Sequence, residues 1–162
     1  MLFSITAAFK KVTAITPEFL KKNKIKGLIL DLDNTLTTHD NPTPAKGVLD
    51  WIKCMKNNDI RLMIVSNNHP PRVYPFAKIL GLDFVSDGKK PLTKGFSEAA
   101  SKLKLSKDSL AAVGDQIFTD VLGANLFGIR MLYVEPIEHE KKFFFKLKRK
   151  LEIPFLPKIY IS

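Results

Sequence analysis

Four short segments of the chain hold residue types that are able to bind and transfer a phosphoryl group: Asp31-Leu32-Asp33-Asn34-Thr35, Ser66-Asn67-Asn68, Lys89-Lys90-Pro91 and Gly114-Asp115-Gln116-Ile117-Phe118-Thr119-Asp120. Asp31 and Asp33 lie two residues apart, and carboxylates held this close repel each other unless a cation or a proton lies between them. Mg²⁺ would remove that repulsion, because it prefers oxygen ligands and often binds one or two carboxylates together with a phosphate. The spacing therefore favours a magnesium site that takes a phosphorylated ligand.

Each of these segments also has an ordinary structural interpretation. The paired aspartates could form an Asx turn after a strand, and Asp115 could cap the following helix, although that leaves Asp120 unexplained. The hydroxyl and backbone N–H groups of Ser66-Asn67-Asn68 suit phosphate oxygens, but these residues are also common in turns. Lys90 is the least specific of the set, because the chain contains 26 Lys and Arg residues.

Apolar segments of strand length alternate with helix-length segments along the chain. The strands are predicted at residues 27–30, 60–65, 83–85, 110–113 and 130–134, and the helices at 44–58, 72–80, 94–103 and 118–127. Nearly continuous apolar strands separated by helices indicate a parallel sheet covered on both faces. We therefore predict a doubly wound, Rossmann-like α/β fold with a parallel sheet of about five strands.

The candidate residues fall at the carboxyl ends of these predicted strands. Asp31 and Asp33 follow the first strand, Ser66 follows the second, and Asp115 follows the fourth. In doubly wound sheets, ligands bind beyond the carboxyl ends of the strands. This coincidence is the strongest structural argument from the sequence for one shared site.

The composition is that of one globular domain with a basic surface. We expect a single domain over residues 1–162, with a core of about 25–136 and a basic, phenylalanine-rich segment at 137–162. The net charge of +10 favours anionic partners, although a solvated lysine-rich surface gives the same total. The single cysteine, Cys54, favours a reducing compartment. We expect neither a membrane-crossing segment nor a secretory signal, and so a cytoplasmic protein, with the matrix of an organelle as the alternative.

The order and strand placement of the four segments are similar to those of the haloacid dehalogenase-like (HAD) phosphatases. The match spans about residues 25–136, and its Asp-x-Asp-x-Thr signature with a downstream Gly-Asp-x-x-x-x-Asp is highly specific. Within that superfamily, four segments resemble the YqeG branch of subclass IIIA: Asp31-Leu32-Asp33-Asn34-Thr35-Leu36, Ser66-Asn67-Asn68, Lys90-Pro91 and Gly114-Asp115-Gln116-x-x-Thr119-Asp120-Val121-x-Gly123-Ala124-Asn125. That branch includes the phosphatidylglycerophosphate phosphatases of mitochondria and plastids. The resemblance implies a HAD-like fold and phosphatase activity.

The resemblance also implies the roles of the two aspartates and the ligands of Mg²⁺. Asp31 would be the nucleophile that forms an aspartyl-phosphate. Asp33 would protonate the leaving oxygen as general acid and then activate water as general base. The metal would be held by the carboxylates of Asp31 and Asp115 and by the backbone carbonyl of Asp33.

The other matching residues would surround this pair. Ser66, Asn67 and Lys90 are implied to bind the phosphoryl group that is transferred. Asp120 would support the metal site or Lys90, and Thr35 would stabilise the loop around the aspartates.

No cap domain fits between the motifs. About 30 residues separate Asp33 from Ser66, and these are filled by a loop, one helix and one strand. The interval from Ser66 to Lys90 has room for one helix and a short strand. An uncapped site is open, and it could admit a phosphate on a lipid, a nucleic acid or a protein. It could also take a small metabolite if a partner subunit closed the site.

The segment 141–150 combines three phenylalanines with six cations and can be interpreted in three ways. It could lie in a membrane interface and attract anionic lipid, pack on the domain with its lysines solvated, or act as a nucleic-acid tail. Our leading hypothesis is a peripheral membrane phosphatase that acts on phosphatidylglycerophosphate in phospholipid biosynthesis. The alternatives are a phosphatase for a soluble sugar phosphate, nucleotide or nucleic-acid end, and a non-catalytic RNA- or ribosome-binding module.

Overall fold

A six-stranded parallel sheet covered by helices on both faces forms the protein in a computed structural model, which describes residues 1–162. The strands are β1 (Ala7–Phe9), β2 (Gly27–Leu30), β3 (Arg61–Val65), β4 (Asp83–Val85), β5 (Leu110–Gly114) and β6 (Arg130–Val134). The helices are α1 (Pro17–Lys22), α2 (Val48–Asn57), α3 (Pro70–Leu80), α4 (Lys94–Leu103), α5 (Leu122–Phe127) and α6 (Phe143–Glu152). The predicted α/β class and parallel sheet are therefore confirmed.

The strand order β1-β6-β5-β2-β3-β4 reverses direction between β2 and β5. From β2 the sheet grows through β3 to β4 on one side, and from β5 it grows through β6 on the other. Such a reversal separates the connecting loops at the carboxyl ends of the two central strands and leaves a crevice there. Asp31 directly follows β2 and Asp115 directly follows β5, so the topology brings these two residues to the crevice.

Side-chain alternation along the strands fills two apolar layers. Leu28 and Leu30 of β2 join a cluster of 24 buried residues beneath α1, α2 and α3. Ile29 of the same strand points to the opposite face, into a cluster of 16 buried residues with α4 and α5. Because both faces of each central strand are covered, the strands are apolar throughout, as the sequence predicts for a parallel sheet.

The sequence prediction misses one strand and several helix boundaries. The strand that the prediction misses is β1. It is only three residues long and pairs in parallel with β6 at the sheet edge, so its sequence carries no recognisable strand pattern. The predicted helix at 118–127 divides into a π-helical turn, Ile117–Val121, followed by α5. Helices α1 and α6 lie outside the predicted set. The predicted helix at 44–58 begins later, at Val48, after a left-handed glycine, Gly47.

The intervals between the motifs hold only the elements of the sheet itself. A loop, α2 and β3 connect Asp33 to Ser66, and α3 and β4 connect Ser66 to Lys90. The prediction that no cap domain is inserted is confirmed. None of the helices combines the length and the apolar character needed to cross a bilayer.

Candidate active site

Three carboxylates converge at the carboxyl ends of β2 and β5. One ligand oxygen each from Asp31, Asp115 and Asp120 lies within 4.8 Å of the other two. Asp115 and Asp120 are buried, whereas the Asp31 side chain is 12% exposed. Asp120 reaches the cluster from the π-helical turn, and its carboxylate accepts a hydrogen bond from the Gln116 N–H at 3.1 Å. Asp31 is therefore the member of the group that an incoming ligand can reach.

Burial and mutual repulsion make Asp115 and Asp120 costly to ionise. Burial raises the pKa of Asp115 well above its usual value; Arg149 lowers this pKa in part, while Asp31 and Asp120 raise it. Burial also raises the pKa of Asp120, and the charge of Asp31 adds to this effect. Each negative charge at the cluster thus needs a neighbouring cation in order to persist at neutral pH.

Lys90 supplies one of those cations. Its ammonium donates to Asp31 at 2.6 Å and to Asp120 at 2.7 Å, and its side chain is only 4% exposed. Burial alone would lower the pKa of Lys90, but the charges of Asp120 and Asp31 outweigh burial and hold that pKa above its usual value. The lysine is therefore positively charged and fixed beside Asp31.

Asn67 and Ser66 shape the loop beside Lys90. The Asn67 side chain accepts from the Lys90 N–H at 2.7 Å and donates to the Lys90 carbonyl at 3.0 Å. Its amide group is thus used to hold the lysine, which leaves the backbone N–H as the group of Asn67 that is available to a phosphate. Ser66 is buried, and its hydroxyl accepts from the Asn68 N–H at 3.1 Å while lining the cavity described below.

Asp33 belongs to a separate network. Its carboxylate accepts from Asn68 at 2.5 Å and from Arg72 at 2.8 Å, and Arg72 also donates to the Asn41 carbonyl at 2.7 Å. Both oxygens of the Asp33 carboxylate are thus occupied, and Asp33 is not one of the three carboxylates that converge, although it lines the same cavity as Asp31. Asn68 and Arg72 were not predicted as site residues. Asn68 lies within the quoted Ser66-Asn67-Asn68 motif, but one arginine at the start of a helix carries no distinguishing pattern.

Thr35 joins the two aspartate loops to each other, and Asn34 joins the first of these loops to the C-terminal segment. The Thr35 hydroxyl lies 3.3 Å from Asp31 and 3.4 Å from Asp115, bridging the two carboxylates. Asn34 has a left-handed backbone with φ 62°. Its side chain donates to the Glu138 carbonyl at 3.2 Å and accepts from the Glu138 N–H at 3.1 Å. Residues 138–140 are therefore held against the loop that contains the candidate nucleophile.

Arg149 is a site residue that the sequence did not indicate. It lies on α6, and its guanidinium forms an ion pair with Asp115 and donates to the Asp115 carbonyl at 2.7 Å. It also pairs with Glu152 at 3.0 Å and Glu140 at 3.3 Å, both of which are buried. The C-terminal helix thus supplies the second cation of the cluster. A single arginine among lysines, 34 residues from Asp115, gives no signal in the sequence.

The donor set fits Mg²⁺. Carboxylate oxygens are the ligands that this ion prefers, and Asp31 and Asp115 bring two carboxylates together at a buried position. The Asp33 carboxylate is taken up by Asn68 and Arg72, so the group that Asp33 has left for a metal is its backbone carbonyl. Asp120 is shared between Lys90 and the Gln116 N–H, which suits a supporting position.

A cavity of about 460 Å³ opens over Asp31. One wall comes from the strand ends and includes Asp33, Ser66, Asn67 and Lys90. The opposite wall comes from the C-terminal segment: Glu138, His139, Glu140, Lys141, Lys142, Phe145 and Lys148. Of the 17 lining residues only Phe145 is hydrophobic, so the cavity suits a polar, charged ligand.

Comparison with known proteins agrees with this geometry. The family model of haloacid dehalogenase-like hydrolases matches residues 38–128, and that of the mitochondrial PGP phosphatases matches residues 3–71. The probable phosphatase YqeG of Bacillus subtilis (strain 168) is 38% identical over 143 residues, which cover 88% of this chain and 83% of that protein. The chain therefore belongs to the haloacid dehalogenase-like hydrolases, among which it is a phosphatase of the YqeG type.

Solved structures share the fold at lower identity. The 4-nitrophenylphosphatase of Thermotoga maritima is 13% identical, with a TM-score of 0.63 over 86% of this chain and 93% of that one. The cobalt-bound deoxy-D-mannose-octulosonate 8-phosphate phosphatase of Haemophilus influenzae is 20% identical, with a TM-score of 0.56 over 79% of this chain and 77% of that one. At these identities the likeness concerns the fold alone.

Removing the Arg149 charge is expected to destabilise the protein strongly. Arg149→Met leaves buried Asp115 and Glu152 without their cation, and loss of one partner of a buried pair costs about 3 kcal/mol or more. The free energy of unfolding of each variant is measured by urea-induced unfolding. Lys150→Met serves as the control, because that lysine is exposed and lacks an ion pair in the structure. Equal stability of the two variants would contradict the role of Arg149.

Mg²⁺ is expected to stabilise the folded protein. Binding to the native state at about 100 times the dissociation constant adds roughly 2.7 kcal/mol, which differential scanning calorimetry detects as a higher Tm. The stabilisation should shrink as the pH falls, because the raised pKa of Asp115 lets protons compete with the metal. Asp115→Asn should remove the effect, and Asp108→Asn, an exposed control, should retain it. A Tm rise that survives Asp115→Asn would place the metal elsewhere.

Proposed function

We propose that this phosphatase is a Mg²⁺-dependent phosphomonoester hydrolase that works through an aspartyl-phosphate on Asp31, with phosphatidylglycerophosphate as its substrate. The observation that carries the chemistry is the position of Asp31. Its carboxylate is accessible from the cavity, 2.6 Å from the Lys90 ammonium and within 4.8 Å of the Asp115 and Asp120 carboxylates. Nucleophile, cation and metal-binding oxygens are thus assembled around one point.

In the first step, a carboxylate oxygen of Asp31 attacks the phosphorus of the monoester. The bond from phosphorus to the leaving oxygen breaks, and Asp33 gives its proton to that oxygen. In the second step, Asp33 takes a proton from water, whose oxygen attacks the same phosphorus. The bond to Asp31 then breaks, and inorganic phosphate leaves. Asn68 and Arg72, which both donate to the Asp33 carboxylate, would fix its orientation during the two proton transfers.

Phosphoryl transfer depends mainly on positioning and on neutralising the phosphoryl oxygens. Lys90, the Ser66 hydroxyl and the Asn67 backbone N–H provide those contacts in the proposal. Lys90 also reduces repulsion between the Asp31 carboxylate and the anionic substrate. Because the Asn67 side chain fixes the Lys90 backbone, the cation stays in place as charge moves during the reaction.

Asp31, Asp115 and the Asp33 carbonyl would hold Mg²⁺. When bound, the ion supplies positive charge that offsets the phosphoryl oxygens and the paired carboxylates. Asp120 would support this arrangement through Lys90, and Thr35 would do so through its bridge between Asp31 and Asp115.

Asp31→Asn is expected to abolish magnesium-dependent phosphate release. The amide is a poor nucleophile, and loss of a covalent nucleophile lowers kcat by roughly 1000-fold or more. Phosphate release from a generic aryl phosphate measures the effect, with exposed Asp50→Asn as the matched control. Full activity in Asp31→Asn would reject the assigned nucleophile, whatever the natural substrate is.

The lipid substrate is supported first by the match of residues 3–71 to the mitochondrial PGP phosphatases. The second support is α6, whose amphipathic pattern is reversed relative to an ordinary surface helix. Its inward face is polar, with Lys148, Arg149 and Glu152 directed at the site. A surface helix of a globular protein normally turns its apolar face inward.

The outward face of α6 is correspondingly apolar. It exposes Phe143 (81%), Phe144 (71%), Leu147 (47%) and Leu151 (59%), and the exposed Lys146 and Lys150 lie between them. Aromatic and aliphatic side chains combined with cations suit the headgroup region of an anionic membrane. We propose that α6 rests on such a membrane, beside the mouth of the cavity, at the cytoplasmic surface or in an organelle matrix.

Vesicle binding tests this arrangement. We expect the protein to co-sediment with vesicles that contain phosphatidylglycerol and only weakly with phosphatidylcholine vesicles. Phe143→Ser/Phe144→Ser should weaken binding roughly tenfold or more, because two exposed rings no longer leave water. Ile79→Ser/Leu126→Ser, which removes exposed apolar groups elsewhere, is the control.

The substrate is tested in the same system. Hydrolysis of phosphatidylglycerophosphate in vesicles is compared with hydrolysis of soluble sugar, nucleotide and oligonucleotide end phosphates. A strong preference for the lipid, reduced by the double phenylalanine change, is the expected outcome. Preference for a soluble ester would keep the Asp31 chemistry and reject the lipid substrate.

A further inference from the structure

We propose that Lys141, Lys142 and Lys148 form a second anion-binding subsite, which takes a phosphate group of the substrate other than the one transferred. We call these three residues the lysine cluster. The inference rests on the proposed function, and it identifies the substrate class as a phosphomonoester that carries a second phosphate nearby. The three lysines line the cavity from the C-terminal wall, and the phosphoryl-binding candidates Ser66 and Lys90 line the other.

The lysine cluster holds the cations of the cavity that have no ionic partner. Lys90 is paired with Asp31 and Asp120, whereas no carboxylate lies within ion-pair distance of the three lysines. Lys148 donates to the neutral amide oxygen of Gln116 at 2.6 Å. Because Gln116 directly follows Asp115, this bond holds the Lys148 ammonium near the carboxylate cluster. A further phosphate can therefore bind these ammonium groups without breaking an ion pair.

Carboxylates without ion-pair partners also line the cavity, at Asp40 and Glu138. Of these two, only Glu138 belongs to the C-terminal wall, so the unpaired charge of that wall is positive, although the lining as a whole carries five carboxylates and four lysines. Glu140, the other acid of the C-terminal wall, is already paired with Arg149 and His39. The positive charge is therefore local to the lysine cluster, which can attract an anion separate from the one that Lys90 accommodates.

The subsite is built in a fixed relation to the reacting group. Two hydrogen bonds join Asn34 to the backbone of Glu138, and Arg149 joins α6 to Asp115. Lys142 immediately precedes α6, and Lys148 lies on its inward face. The lysine cluster is thus anchored on both sides to the loops that hold Asp31 and Asp115.

The composition of the cavity limits what else can occupy it. Phe145 is its single hydrophobic lining residue, so acyl chains find no apolar surface inside. Lysine ammonium groups bind phosphates as point charges. A headgroup with a phosphodiester next to its monoester would fill the cavity, and acyl chains attached beyond the diester would lie outside, along Phe143 and Phe144.

Binding of two soluble phosphonates tests the subsite without turnover or a membrane. One is the phosphonate analogue of glycerophosphoglycerol phosphate, which has the second phosphate, and the other is that of glycerol 3-phosphate, which lacks it. By isothermal titration calorimetry with Mg²⁺, we expect the first to bind about tenfold or more tightly than the second. Lys141→Gln/Lys142→Gln/Lys148→Gln should reduce this ratio to about threefold or less.

The matched control is Lys22→Gln/Lys53→Gln/Lys78→Gln, which removes three exposed lysine charges from α1, α2 and α3. This variant should keep the wild-type ratio. Equal binding of the two phosphonates by the wild-type protein, or equal loss of the ratio in both triple variants, would overturn the subsite. If neither parent ester is hydrolysed, the proposed function fails, but the calorimetric ratio still decides for or against the lysine cluster.

Discussion

The neutralisation of buried negative charge is the constraint on which the rest of this structure depends. Asp31, Asp115 and Asp120 meet within 4.8 Å, and the latter two are buried. Carboxylates so placed need cations held at fixed positions, since solvent cannot screen them. Lys90 arrives from the loop before α4 and Arg149 from α6. Distant parts of the chain are thereby fastened to the ends of the two central strands.

The backbone around the cluster is shaped by the same need for close approach. A Cβ at Gly114 would collide with the Asp120 carboxylate, so only glycine lets that side chain lie across the end of β5. The π-helical turn that follows brings Asp120 back over Asp115. The glycine of the Gly-Asp motif thus serves the packing of the second aspartate, in addition to ending the strand.

Residues with a local motif could be predicted from the sequence, whereas residues that act through tertiary contact could not. Asp31, Ser66, Lys90 and Asp115 follow strands or precede a helix in a recognisable order. The structure brings the first three to one cavity and Asp115 to the carboxylate cluster that includes Asp31. Arg149 reaches Asp115 only because α6 folds back to the carboxyl end of β5, a placement that no spacing encodes. The assignment of chemical roles to these residues remains a prediction.

The secondary-structure elements also differ in how well the sequence predicts them. Long apolar strands such as β5 are recognisable because both faces are buried, whereas the three-residue β1 depends on pairing with β6. From the sequence, the C-terminal segment can be membrane-binding, packed on the domain or nucleic-acid-binding. The structure makes it partly packed: Arg149 and Glu152 turn inward while Phe143 and Phe144 stay in solvent. Its contact with a membrane is proposed here on the basis of that exposed face.

Arg149 lies later in the chain than the strands and aspartates that it joins, and this order affects how the centre forms during biosynthesis. Because the chain is made from its N-terminus, β2, β5 and both buried aspartates leave the ribosome before α6 does. Until Arg149 emerges, the nascent sheet holds Asp115 without its ionic partner. The ion pair between Arg149 and Asp115 can therefore form only after the chain has been translated through α6.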